Sequence, residues 1–136
     1  MAAASASPAE TAPVTPFQLV GGASVVSQLV ETFYDLMEKD PAFAELRAMH
    51  APDLTPMRGS LTGFLTAWMG GPRTWFEENP GKCMMSLHAK LPITKQTADQ
   101  WVGAMRQAIS AVGIEPKIGT AMGDALERMA AGMMRS

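Results

Sequence analysis

The sequence predicts an all-α fold in a single domain, and three observations carry that expectation. Apolar residues recur at three- and four-residue spacing in four long segments, no segment alternates apolar and polar residues as a half-buried strand would, and Gly-Gly, Gly-Gly-Pro and Asn-Pro-Gly mark the junctions. A chain of 136 residues buries roughly two-thirds of its extended surface in one core, so neither a disulfide nor a structural metal is needed.

Residues 1–16 are mostly Ala, Ser, Thr and Pro, without the basic start and apolar centre of a secretory signal, and read as a disordered tail ahead of a domain spanning 17–136. Val26, Leu29, Val30, Phe33 and Met37 then define an amphipathic helix, with Gly21 and Gly22 permitting a turn before it. From Asp40 to Pro56 three prolines restrict the chain to a short helical turn near Phe43 to Met49 and a loop holding His50. Met57, Leu61, Phe64, Leu65 and Trp68 form the stripe of a second helix, which stops at Gly70-Gly71-Pro72. Between Arg73 and Pro92 the pattern is broken into short helices and loops. Thr94 caps a third helix with apolar Ala98, Trp101, Val102, Met105, Ala108, Ile109 and Val112, and a last helix after Pro116 carries Ile118, Met122, Ala125, Leu126, Met129 and Met133.

Composition excludes several classes of function. Eleven Lys and Arg against thirteen Asp and Glu, thinly spread, provide no basic stripe for nucleic acid or an anionic membrane surface. No run of about eighteen apolar residues is present, so no membrane span is expected. The single cysteine, Cys83, has no partner for a bridge or a Cys-x-x-Cys site, which fits a reducing, cytoplasmic setting. Two histidines cannot build a histidine cluster, and the carboxylates show no catalytic pairing. Taken alone, His88 in its apolar segment reads as a structural residue more readily than as a ligand.

A wider pattern changes that reading. The Gly-Gly ahead of a helix holding Phe33 and Tyr34, the Asp53-Leu54 pair, Phe64, the run Gly70-Gly71-Pro72-Arg73-Thr74, and then His88 and Trp101 together resemble the truncated haemoglobins, and within them the second group. The likeness runs from about Phe17 to Gly113, without a gap between Gly70 and Trp101. It implies a two-over-two helical sandwich around non-covalent haem b; no Cys-x-x-Cys-His attachment motif is present. It assigns His88 as the iron ligand, with Phe33, Leu61, Phe64 and Trp101 as further cofactor contacts, and Met57, Trp75, Lys82 and Met85 are added as candidate contacts beside them.

On the ligand side the resemblance places Tyr34, His50 and Trp101, and all three side chains can donate hydrogen bonds. An O2 ligand carries partial negative charge, so each charge-assisted bond in a dry pocket contributes about 1.5–3 kcal/mol, and two slow release by roughly a hundredfold. The expected function is therefore tight binding of O2, NO, CO or peroxide, with NO dioxygenase or peroxidase-like chemistry served by a reductase partner, rather than simple oxygen transport. The same residues also allow blander roles: Tyr34 as half-buried core, Trp101 as a packing anchor, His50 as a solvated loop residue.

The chain departs from the family pattern in ways that keep alternatives open. Met57 stands where a small residue is usual, so a six-coordinate electron-transfer or sensor haem, bound through Met57, His50 or Tyr34, is a second reading. A haem-free helical interaction module is a third. The family's Gly-His-Pro and the Arg before its proximal histidine are replaced around Pro80 to Leu87, and its following Pro-Phe by Lys90-Leu91, leaving Lys82, Lys90 or Trp75 as candidate partners for the haem propionates.

Overall fold

The computed structural model describes residues 14–79 and 93–133. The expectations that fall on Lys82, Cys83, Met85, His88, Lys90 and Leu91 lie outside them. Residues 14–16, which composition assigns to the tail, instead lead into helix α1, Pro16–Val20: the Thr15 hydroxyl accepts from the Gln18 amide while the Gln18 Oε1 accepts from the Thr15 amide. Its sequence carries too few apolar positions to show a period.

Helix α2, Gly22–Lys39, buries Val26, Leu29, Val30, Phe33, Tyr34 and Met37. Gly21 joins it to α1 at φ +119°, where a Cβ would lie 2.5 Å from a Val25 methyl, so only glycine makes this turn cheaply. Asp40 ends α2 and accepts from the Ala42 amide at 3.0 Å, opening a 3-10 turn, Pro41–Phe43, that runs into α3, Ala44–Ala48. The turn expected near Phe43 to Met49 is thus two fused pieces.

Helix α4 covers Thr55–Trp68 and buries Leu61, Phe64, Leu65 and Ala67. Asp53 accepts from the Thr55 amide at 3.0 Å, satisfying one of the donors a helix start leaves open. After the glycine turn, α5, Thr74–Glu78, presents Trp75 to α4. Thr94 and Thr97 form a second reciprocal cap at the start of α6, Lys95–Ala111, as the sequence position of Thr94 suggests. Helix α7, Pro116–Gly132, begins with Glu115 accepting from the amides of Lys117 and Ile118.

Helices α6 and α7 pack along each other, α2 packs on both α4 and α6, and α5 closes on α4. The helix pairs α2/α4 and α6/α7 make the two-over-two sandwich. Leu29, Phe33, Met37, Leu65, Met105 and Leu126 are fully buried at its centre. No strand occurs among the described residues, and no helix among them is long and apolar enough to cross a membrane.

Candidate functional site

Tyr34, the only tyrosine in the chain, lies one position beyond Phe33 on α2, so the two rings meet edge to face with centroids 4.9 Å apart. Phe33 also meets the Trp101 ring of α6 at 5.7 Å. Phe33 is fully buried and stands behind both rings, a wedge that fixes the spacing of two donors on different helices. Burial pushes the Tyr34 phenol up to about 12, although the Arg58 guanidinium nearby draws it part of the way down. At neutral pH the hydroxyl therefore keeps its proton and can donate, as can the Trp101 indole N–H.

His50 follows α3 and is held from two directions. Gln100, beside Trp101 on α6, accepts from the Leu46 amide at 3.0 Å and donates to the Glu45 carboxylate at 2.8 Å, tying α3 to α6. The Arg47 guanidinium donates to the carbonyls of Ala51 and Pro52 at 3.0 and 2.9 Å, folding the loop back. Within this frame His50 Nδ1 lies 2.8 Å from the Leu46 carbonyl oxygen. A carbonyl can only accept, so Nδ1 carries the hydrogen in this contact and the ring is fixed with Nε2 turned away from α3. Tyr34 and Trp101 thus bring an O–H and an N–H to the site, and the Leu46 carbonyl fixes the orientation of the His50 ring beside them.

Tyr34, His50 and Trp101 converge on one cavity of about 350 Å³. Met57, Leu61 and Phe64 of α4 line it, together with Trp75 of α5. Trp75 meets the Phe64 ring at 5.9 Å and is buried, so its ring serves the wall. Sequence reasoning missed the opposite wall. Ile93, Thr97 and Ala98 approach from the start of α6, while Leu126, Met129, Ala130 and Met133 approach from α7 and its end. The period of α7 marks these as an apolar face without saying that a cavity, rather than another helix, covers part of it.

Residues 15–135 match the bacterial-like globin family. The group 2 truncated hemoglobin YjbI of Bacillus subtilis (strain 168) is 34% identical over 103 residues, 76% of this chain and 75% of that one. The chain belongs to the group II truncated haemoglobins. Among solved structures, a group II 2-on-2 hemoglobin of Agrobacterium tumefaciens matches this truncated haemoglobin at TM-score 0.86 and 28% identity, over 90% of this chain and 95% of that one. A group II truncated hemoglobin of Bacillus anthracis matches at TM-score 0.84 and 30% identity, over 92% and 94%. A truncated haemoglobin of Bacillus subtilis described as oxygen-avid matches at 0.81 and 31%, over 90% and 100%.

Membership of the globin family implies haem-based binding of a small ligand. The described walls of this truncated haemoglobin fit such a group. Leu61, Phe64, Trp75, Ile93 and Leu126 offer an apolar surface to a flat macrocycle, and Tyr34, His50 and Trp101 bring a few polar groups to the same cavity.

Proposed function

We propose that this truncated haemoglobin binds haem b through His88 and retains O2 or a related ligand by donation from Tyr34 and Trp101. One observation carries the reading: the protonated phenol and the indole, from two different helices, line the same largely apolar cavity with Phe33 wedged behind both. When bound, the haem supplies the metal to which a diatomic ligand attaches. The chain supplies the rest. Tyr34 and Trp101 donate to the ligand, the α4 and α7 side chains exclude water, and the low dielectric strengthens each bond. The resemblance to an oxygen-avid haemoglobin supports retention of O2 over rapid exchange. The same donors suit NO or peroxide turnover with electrons from a reductase.

Stopped-flow release of O2 tests the reading. Tyr34→Phe and Trp101→Phe each remove one donated bond of about 1.5 kcal/mol or more and should speed release by roughly tenfold or more. Unchanged rates in both would overturn the donor role. A ferrous spectrum that is low-spin without added ligand would instead assign a sixth protein ligand, Met57, His50 or Tyr34. His88→Ala should abolish axial coordination; the same spectrum in that variant would remove His88 from the iron.

A further inference from the structure

Arg58 follows Met57 on α4, and its guanidinium is occupied from two sides. Toward α2 it donates through Nη1 to the Glu31 carbonyl at 3.2 Å and to the Glu31 carboxylate, and through Nη2 to Asp35 at 3.2 Å and Glu38 at 3.0 Å. Residues 31, 35 and 38 lie on one ridge of α2, spaced to meet a single planar fork. The guanidinium also lies over the Tyr34 ring, with Cζ 5.5 Å from the centroid, while the Phe33 and His50 rings meet it edge to face with centroids 4.9 and 6.2 Å away. The Arg58 side chain is only 18% exposed, against 40–57% for the three carboxylates.

We propose that Arg58 is the positioning residue of the ligand site: anchored by Glu31, Asp35 and Glu38, it locks the rotation of the Tyr34 ring and so fixes the direction in which the hydroxyl donates. A phenol O–H prefers the plane of its ring, so the angle of the ring sets where the hydrogen points. Turning the ring requires the face above it to clear, and Arg58 cannot withdraw without breaking bonds to three side chains. Ordinary surface ion pairs are weak. Here the planar fork adds cation–π contact to directed hydrogen bonds at a partly desolvated position. The network reaches further, because Glu38 also lies 4.0 Å from Arg47, which holds the His50 loop. The consequence for ligand release rests on the donor role of Tyr34; the clamp on the ring does not.

As the chain has one tyrosine, tyrosine labelled with carbon-13 at Cε reports on position 34 alone in the full-length protein, as purified and in the diamagnetic CO form. Wild type is expected to show two resolved ε signals from a slowly flipping ring. In Arg58→Met the flip rate should rise at least tenfold, and Arg58→Lys, which keeps the charge without the fork, should fall between. A folded Arg58→Met with wild-type flipping would reduce Arg58 to a helix tether and overturn the proposal. Should that variant not fold, Glu31→Gln/Glu38→Gln keeps Arg58 but weakens two anchors and must raise the rate severalfold; no change there overturns it equally. Release of O2 should quicken severalfold in Arg58→Met, whereas in a Tyr34→Phe background the same substitution should add nothing, so that the double variant releases as Tyr34→Phe does. Faster flipping with unaltered release would sink the donor role of Tyr34 and leave the clamp standing.

Discussion

Tyr34 shows how far one side chain's chemistry is set by its surroundings. Its folded pKa is raised to about 12, first by burial, with Arg58 opposing. An unfolded tyrosine ionises near 10. Below that pH the phenol is neutral in both states and the buried ring costs nothing in charge; above it the unfolded chain ionises first, so stability falls between about pH 10 and 12. The difference of about two units corresponds to on the order of 2–3 kcal/mol. Denaturant unfolding should show wild type losing that much more than Tyr34→Phe across this window, and parallel curves would mean that the phenol is not buried as described. The presence of Tyr34, Trp101 and His50 at the site was legible as a sequence resemblance. The orientation of the His50 ring was not, because it depends on the Leu46 carbonyl one helical turn away. With Nδ1 held by that carbonyl, His50→Leu is expected to change O2 release less than loss of either donor does; a larger effect would give His50 a direct donor role.

Among the elements, those with a long apolar stripe were readable in full, while the short ones were legible only in outline, as the turn near Phe43 to Met49 and the short helices after Arg73, or not at all, as α1. Helices α2, α4, α6 and α7 follow the stripes of Val26, Leu61, Ala98 and Met122, since a face buried over several turns leaves a period in the sequence. Helices α1 and α5 have five residues each, too few for a period, and depend on tertiary contacts instead. The approach of α5 to α4 rests on Gly63, where an added Cβ would lie 2.9 Å from both Cβ and Cδ1 of Trp75. Neither helix backbone nor indole can yield cheaply there. Gly63→Ala should therefore cost about 1–3 kcal/mol and displace Trp75 from the cavity wall, read as a lower unfolding midpoint with a shifted indole emission. A gain in stability, as expected of Gly→Ala on an open helix face, would show that the contact is not real. Thr94→Ala, which removes the reciprocal cap of α6, should cost about 1 kcal/mol by the same measurement.

At the scale of the molecule, the cavity lies between the elements that form the sandwich. Its walls come from α2, α4 and α5 on one side and α6 and α7 on the other, so whatever fills it bridges both helix pairs. A group that binds the folded chain and not the unfolded one stabilises it by RT ln(1 + [L]/Kd), about 4 kcal/mol at a thousandfold excess over Kd. For a chain of this size each kcal/mol moves the thermal midpoint by roughly 3–5 °C. Adding haemin at that excess should thus raise the midpoint by about 10–20 °C and produce a Soret band. Extraction of the haem should reverse both, because the apo cavity leaves Leu61, Phe64, Trp75 and Leu126 without the surface that covers them. If His88 holds the iron, His88→Ala should lose a large part of the shift, while Lys82→Ala, which removes only a candidate propionate partner, should lose little. A midpoint indifferent to haemin, with no Soret band, would leave the helices as a scaffold whose cavity serves another ligand.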